Sequence, residues 1–105
     1  MSELIQKPIL RTEKETLEII RNLLVGKSVK KAYLFGSRAR GDATSESDWD
    51  ILIDIEKGFS LFDQAEIQIK LEDEIGQKVD LVTTGGLRSD IRSYIDKDKI
   101  LIYER

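Results

Sequence analysis

The segment from Asp48 to Ile55 sets the strongest limit on the fold, because apolar residues alternate along it with mostly acidic ones. Its residues would divide into one face with Trp49, Ile51, Ile53 and Ile55 and another with Asp48, Asp50, Leu52 and Asp54. Successive side chains of a β-strand point to opposite faces of the sheet, so the alternation predicts a strand with one apolar face. A strand of this kind must bury that face against other elements of the domain.

Other elements can be placed around this strand. Thr12 and Glu15 form a capping-box pattern before apolar residues at helical spacing, which predicts a helix over residues 12–25. Ser60 and Gly76 are residue types that begin and end helices, which predicts a helix over residues 61–75. The other predicted elements are strands at Ala32–Phe35, Lys78–Thr83 and Ile100–Tyr103, a loop over 36–48 with room for a helical turn, a turn at Gly85-Gly86 and a last helix containing Leu87, Ile91 and Tyr94.

The order α-β-β-α-β-α-β predicts an α/β domain with a mixed sheet, and 105 residues predict a single domain over 1–105. The longest apolar runs are far too short to span a membrane. The net charge of −3 argues against broad nucleic-acid binding. The lack of cysteine and the mixed composition of Met1 to Lys7, which lacks an apolar leader, predict a cytoplasmic location.

The composition also limits the chemistry. The chain has neither cysteine nor histidine, which excludes thiolate nucleophiles, imidazole bases and zinc–thiolate sites. Catalysis would have to use carboxylates, lysine, arginine, hydroxyls and backbone amides. Carboxylates prefer hard cations, so Mg²⁺ or Mn²⁺ is the expected cofactor.

The loop after the first predicted strand contains candidate phosphate ligands. Gly36 has no side chain, so a phosphate can approach its backbone closely. Ser37 offers a hydroxyl and an amide N–H, and a helical turn starting there would favour an anion. Arg38 and Arg40 can bind phosphate oxygens with their planar guanidinium groups.

Asp48 and Asp50 are candidate metal ligands. They lie two residues apart on a predicted strand, so both side chains leave one face, with Cα atoms roughly 6.6 Å apart. Two carboxylates this close repel one another unless a cation lies between them. Asp80 is the candidate third ligand, because a charge between Val79 and Leu81 in the next strand is costly unless it is used.

Taken singly, these short motifs are common in caps and turns. Gly-Ser followed by Asp-x-Asp at one fixed offset should arise by chance in on the order of one chain in a thousand of this length.

At these residues the chain resembles the DNA polymerase beta-like nucleotidyltransferase superfamily, whose signature is Gly-Ser, Asp-x-Asp and a third aspartate on a later strand. It is more closely similar to the minimal nucleotidyltransferases (MNT), the antitoxins of HEPN/MNT toxin–antitoxin pairs. The likeness covers roughly residues 12–104 and is carried by Gly36 to Gly41, Ser47 to Asp54, Val79 to Thr83 and Leu87 to Tyr103.

The resemblance implies a nucleotidyltransferase fold, a small mixed sheet with helices packed on it. It also implies that Gly36 and Ser37 bind the triphosphate and that Asp48, Asp50 and Asp80 hold Mg²⁺. The implied activity is transfer of AMP from ATP to a tyrosine of a partner HEPN ribonuclease toxin.

Two alternatives stay open. The chain would be a binding antitoxin that blocks the toxin without chemistry, or the catalytic subunit of a small-molecule nucleotidyltransferase. In every case the chain has little length left for an acceptor site, so we expect the acceptor to come from a partner or a second copy. The broadly apolar segment 61–75 is a candidate docking face, although burial in the core explains it as well.

Overall fold

The computed structural model describes residues 12–105, and the first eleven residues, including Met1 to Lys7 and the start of the predicted 1–105 domain, lie outside the described residues. The described part contains helices on a four-stranded sheet. The helices are α1 (Glu13–Leu24), α2 (Ser37–Arg40), α3 (Leu61–Ile75) and α4 (Ser89–Asp96), and the strands are β1 (Val29–Phe35), β2 (Trp49–Ile55), β3 (Val79–Thr83) and β4 (Ile100–Glu104).

The sheet has the order β3-β2-β1-β4. β1 pairs antiparallel with both β2 and β4, whereas β2 pairs parallel with β3. The helix α3 connects β2 to β3, as a parallel pair requires a crossover. The predicted mixed α/β sheet is therefore confirmed.

The predicted helices begin where their caps indicate. The side chain of Thr12 accepts from the N–H of Glu15, and the Glu15 carboxylate accepts from the N–H of Thr12. Ser60 and Asp63 form the same reciprocal pair at the start of α3. Gly76 ends α3 in the left-handed conformation, with φ of 75°.

The loop over 36–48 contains the short helix α2, in agreement with the helical turn expected there. Three local predictions differ from the structure. The first strand starts at Val29 rather than Ala32, because Val29 and Lys31 already pair with β2 across a register irregularity. The predicted last helix starts at Ser89, so Leu87 lies before it. The predicted turn at Gly85-Gly86 is part of a 3-10 helix, Thr84–Gly86.

The core lies between the helices α1 and α3 and one face of the sheet. Trp49, Ile51 and Ile53 are at most 1% exposed, which confirms the predicted apolar face of β2. They pack in one cluster with Leu24 of α1 and Leu71 of α3. Because β2 side chains alternate, Asp48 and Asp50 belong to the opposite face of the sheet.

The helix α3 divides its apolar residues between core and solvent. Ile67, Leu71 and Ile75 are buried, whereas Phe62 and Ile69 are 88% and 59% exposed. Segment 61–75 is therefore a core helix on one side and has exposed apolar residues on the other, so each of the two interpretations holds for part of it. None of the helices within residues 12–105 is long and apolar enough to cross a bilayer.

Candidate active site

Gly36 connects β1 to α2 and lies directly against Asp50 of β2. Its φ of 73° and ψ of −155° belong to a region that only glycine adopts without strain. A Cβ at this position would lie 2.2 Å from Oδ2 of Asp50. Antiparallel pairing of Phe35 with Asp50 causes this approach. Glycine is thus required both by the backbone conformation and by the neighbouring carboxylate.

Ser37 begins the single turn of α2. The N–H groups of Ala39 and Arg40 donate to the Gly36 carbonyl at 3.1 Å, which closes the turn. Within residues 12–105 the Ser37 hydroxyl has no hydrogen-bond partner, so it can bind a ligand oxygen without breaking an existing bond. The turn therefore places this hydroxyl, on a partly exposed residue, next in the chain to the glycine that lies against Asp50.

The three candidate metal ligands lie close together on the sheet. Asp50 and Asp80 are direct partners in the parallel β2–β3 register, and Asp48 precedes Asp50 by two residues. Asp50 is half-buried, whereas Asp48 and Asp80 are exposed. Burial raises the pKa of the Asp50 carboxyl above its ordinary value, and the negative charges of Asp80 and Asp48 raise it further.

The exposure of Asp80 corrects one argument from the sequence. We expected a costly buried charge between Val79 and Leu81, and those two neighbours are indeed buried. Asp80 itself points to the other face and is exposed. It lies on the edge strand β3 with its side chain exposed, so its charge costs little there.

The donor set has the right chemistry for Mg²⁺ but is not fully converged. Within residues 12–105 no three carboxylates are placed so as to hold a metal ion together. Lys78 reaches Asp48 at 3.9 Å, and this is the closest cation to the three carboxylates in that part of the chain. Burial first, and then the charges of Asp80 and Asp48, raise the pKa of the Asp50 carboxyl, and a divalent cation would relieve the repulsion among the three carboxylates. Metal binding by all three aspartates therefore stays a prediction that the donor chemistry supports.

The two arginines of the loop have different surroundings. The Arg38 side chain is only 8% exposed, and two of its nitrogens donate to the Ser47 carbonyl at 2.8 and 3.2 Å. Arg40 lies 3.3 Å from Asp42 and 3.8 Å from Asp98, and its hydrogen bond to Asp42 raises its pKa. Arg40 is the more accessible of the two, and phosphate binding by either stays a prediction.

Sequence reasoning missed one polar residue near the site. Gln77 accepts a hydrogen bond from Nε1 of Trp49 at 3.0 Å and donates to the Ser45 carbonyl at 2.6 Å. Trp49 was expected in the core and is 1% exposed there. No local pattern indicates Gln77, because its partners lie 28 and 32 residues away in the sequence.

Comparison with known proteins assigns the family. A family model described as polymerase beta, nucleotidyltransferase matches residues 18–105. The chain belongs to this family. It is therefore a nucleotidyltransferase, as its Gly-Ser and Asp-x-Asp motifs predicted.

Individual relatives agree with this assignment. The chain is 34% identical over 95 residues to the protein adenylyltransferase MntA of Thermococcus cleftensis, covering 83% of this chain and 96% of that one. A solved structure described provisionally as a minimal nucleotidyltransferase shares 32% identity at a TM-score of 0.74, covering 83% of this chain and 89% of that one. The predicted resemblance to minimal nucleotidyltransferases is thus confirmed.

A third match concerns a toxin–antitoxin complex. It is a structure of a tri-AMPylated HEPN toxin from Shewanella oneidensis with its MNT antitoxin. The matched chain is 19% identical with a TM-score of 0.72, and the match covers 90% of this nucleotidyltransferase and 74% of that chain. At this identity the match shows a shared fold.

Proposed function

We propose that this nucleotidyltransferase is an antitoxin that transfers AMP from Mg-ATP to a tyrosine of a partner HEPN toxin. The observation that carries the proposal is the contact between Gly36 and Asp50, with Asp80 opposite Asp50 in the sheet. A glycine turn suited to phosphate and a group of carboxylates suited to Mg²⁺ meet there. The proposal includes the cytoplasmic location expected from the sequence.

Each residue of the site has a role in this reaction. Gly36 and Ser37 bind the triphosphate through backbone N–H groups and the hydroxyl, and Arg40 assists as an accessible cation. Asp48 and Asp50 would hold Mg²⁺ beside the phosphates, and Asp80 would serve the acceptor side. Mg²⁺, when bound, neutralises phosphate charge and makes the acceptor hydroxyl easier to ionise.

The transfer can be written with its bonds. The acceptor oxygen attacks the α-phosphorus of ATP, a new P–O bond forms, and the bond from the α-phosphorus to the bridging oxygen breaks. Pyrophosphate leaves, and the acceptor proton passes to the Asp80 carboxylate. An exposed Asp80 suits an acceptor that arrives on another protein.

Two facts support a protein acceptor. The protein adenylyltransferase MntA is similar over nearly its whole length, so the two chains share one domain plan. The matched structure from Shewanella oneidensis is that of a tri-AMPylated HEPN toxin in complex with an MNT antitoxin, so a chain of this fold occurs in a complex with such an acceptor.

A second candidate function is neutralisation by binding alone. The exposed apolar residues of α3 favour it, because Leu61, Phe62 and Ile69 are 82%, 88% and 59% exposed. Large apolar side chains exposed on one helix are typical of a protein interface.

The two functions predict different stoichiometries. We would titrate this chain against the HEPN partner with excess Mg-ATP and measure the partner's ribonuclease activity. Catalysis predicts that one chain molecule silences many partner molecules, whereas binding predicts one-to-one inhibition that does not depend on ATP. Inhibition that saturates only at equal concentrations, with and without ATP, would refute the catalytic proposal.

A further inference from the structure

The loop of residues 41–48 carries Asp48, and two side chains outside the loop hold it at two carbonyl groups. Arg38 donates twice to the carbonyl of Ser47, the residue immediately before Asp48. Gln77, which follows α3, donates to the carbonyl of Ser45. The loop is thus held from both sides, two residues apart.

Trp49 connects these two attachments. The Arg38 guanidinium carbon lies 4.2 Å from the centroid of the Trp49 ring, a cation–π contact. On the same ring, Nε1 donates to Gln77, the residue that holds Ser45. The Arg38 side chain is 8% exposed and Trp49 is 1% exposed, so water competes little for the contact between them, whereas the bond from Gln77 to Ser45 is exposed.

The backbone extends this attachment to the metal ligands. The Trp49 N–H donates to the Lys78 carbonyl at 3.0 Å, which starts the β2–β3 pairing. Asp48 precedes Trp49 and Asp50 follows it, so the tryptophan lies between the two carboxylates in the chain. Fixing the Trp49 ring therefore fixes the backbone from which both carboxylates project.

We propose that Arg38, Trp49 and Gln77 form a clamp that holds the 41–48 loop and so positions Asp48 and Asp50 for AMP transfer. This proposal depends on the proposed function only because it names AMP transfer as the reaction; the clamp itself does not depend on it. Arg38 and Gln77 are positioning residues, and Arg38 acts through Ser47 rather than by binding phosphate. A carboxylate displaced by about 1 Å lowers the rate on the order of 100-fold, so the clamp matters for turnover more than for ATP affinity.

The first test needs neither ATP nor a partner. We would measure hydrogen exchange of the loop amides and the emission of Trp49, the only tryptophan of the chain, in Arg38→Met and Gln77→Met. Loss of a clamp bond should speed exchange over residues 44–48 about tenfold and shift the emission to longer wavelength. Unchanged exchange and emission in both variants would overturn the clamp.

Arg21 supplies a matched control. Its Nε donates to the Ile102 carbonyl at 2.6 Å, an arginine-to-backbone bond at the opposite edge of the sheet. Arg21→Met should leave loop exchange, Trp49 emission and AMP transfer unchanged. Far-UV circular dichroism and thermal melting would show whether each variant is folded. Gln77→Glu keeps an oxygen that accepts from Trp49, so it should loosen the loop less than Gln77→Met does.

The second test separates positioning from phosphate binding by Arg38. Lysine keeps the charge but lacks the planar fork that reaches Ser47 and stacks on Trp49. Arg38→Lys should therefore lower kcat on the order of 100-fold, with KM for ATP within about threefold of the parent value. Full activity in Arg38→Lys, together with a raised KM for ATP in Arg38→Met, would make Arg38 a phosphate ligand and overturn the clamp. If the parent protein transfers no AMP, the proposed function fails, and the exchange and emission data still decide the clamp.

Discussion

Replacement of Gly36 by alanine should damage both stability and catalysis, for two separable reasons. The backbone at Gly36 has φ of 73° and ψ of −155°, and a non-glycine residue there costs about 1–3 kcal/mol. At about 2 kcal/mol, the melting temperature of a domain this size falls by about 10 °C. The new Cβ would also lie 2.2 Å from Oδ2 of Asp50, about 1.2 Å closer than an ordinary contact of 3.4 Å.

The second effect bears on activity, because Asp50 must retreat from its place. A displacement of about 1 Å at a reacting group lowers the rate on the order of 100-fold. Gly76→Ala is the matched control, since Gly76 has φ of 75° and a Cβ there would meet no atom within 4 Å. It should cost about 1–2 kcal/mol of stability and leave AMP transfer intact.

Thermal melting and AMP-transfer assays on the parent, Gly36→Ala, Gly76→Ala, Asp50→Ala and the Gly36→Ala, Asp50→Ala double variant check this reasoning. Removing the Asp50 carboxylate removes the clash but not the backbone strain. The stability cost of Gly36→Ala should therefore be smaller in the Asp50→Ala background. An equal cost in both backgrounds, combined with parent-level transfer by Gly36→Ala, would refute the contact.

Three further outcomes are expected. In EDTA at neutral pH, Asp50→Asn should stabilise the domain by about 0.2–1 kcal/mol, since it removes a charge directly opposite Asp80, as thermal melting would show. Because the folded-state pKa of Asp50 is raised, its ionisation costs stability only as pH rises above its ordinary value of 3.8, so the gain in Asp50→Asn should disappear in acid. Calorimetry should show ATP binding at least about tenfold weaker in EDTA than with Mg²⁺, and equal affinity would remove the metal assignment. Asp80→Asn should lower AMP transfer by about 100-fold or more, with the Kd for Mg-ATP nearly unchanged, and lost ATP binding would contradict its acceptor-side role.

Much of the fold follows from local patterns. The alternation along β2, the capping pairs at Thr12 and Ser60 and the glycine at the end of α3 each depend on neighbours within one element. Each of these patterns lies within a short stretch of sequence, so it predicts the helix or strand that contains it. The start of β1 was missed because it is marked by pairing with β2 rather than by apolar residues.

The site could be predicted in composition but not in arrangement. Gly36 was expected to admit a phosphate, and its contact with Asp50 adds a requirement that depends on the β1–β2 register. The exposure of Asp80 could not be predicted, because the residue pattern of one strand does not tell whether other elements cover its second face. The bonds from Gln77 to Trp49 and Ser45 join residues distant in sequence, so no short window contains them.

The mass of the HEPN partner after reaction tests the central claim most directly. The partner would be incubated with this chain and Mg-ATP and then measured by intact-mass spectrometry, beside a reaction with the Asp48→Asn, Asp50→Asn double variant. AMP transfer predicts a gain of roughly 329 Da per group with the parent chain and none with the variant. A partner whose mass never changes while the parent chain inhibits it in a tight complex would contradict the account and establish binding as the function.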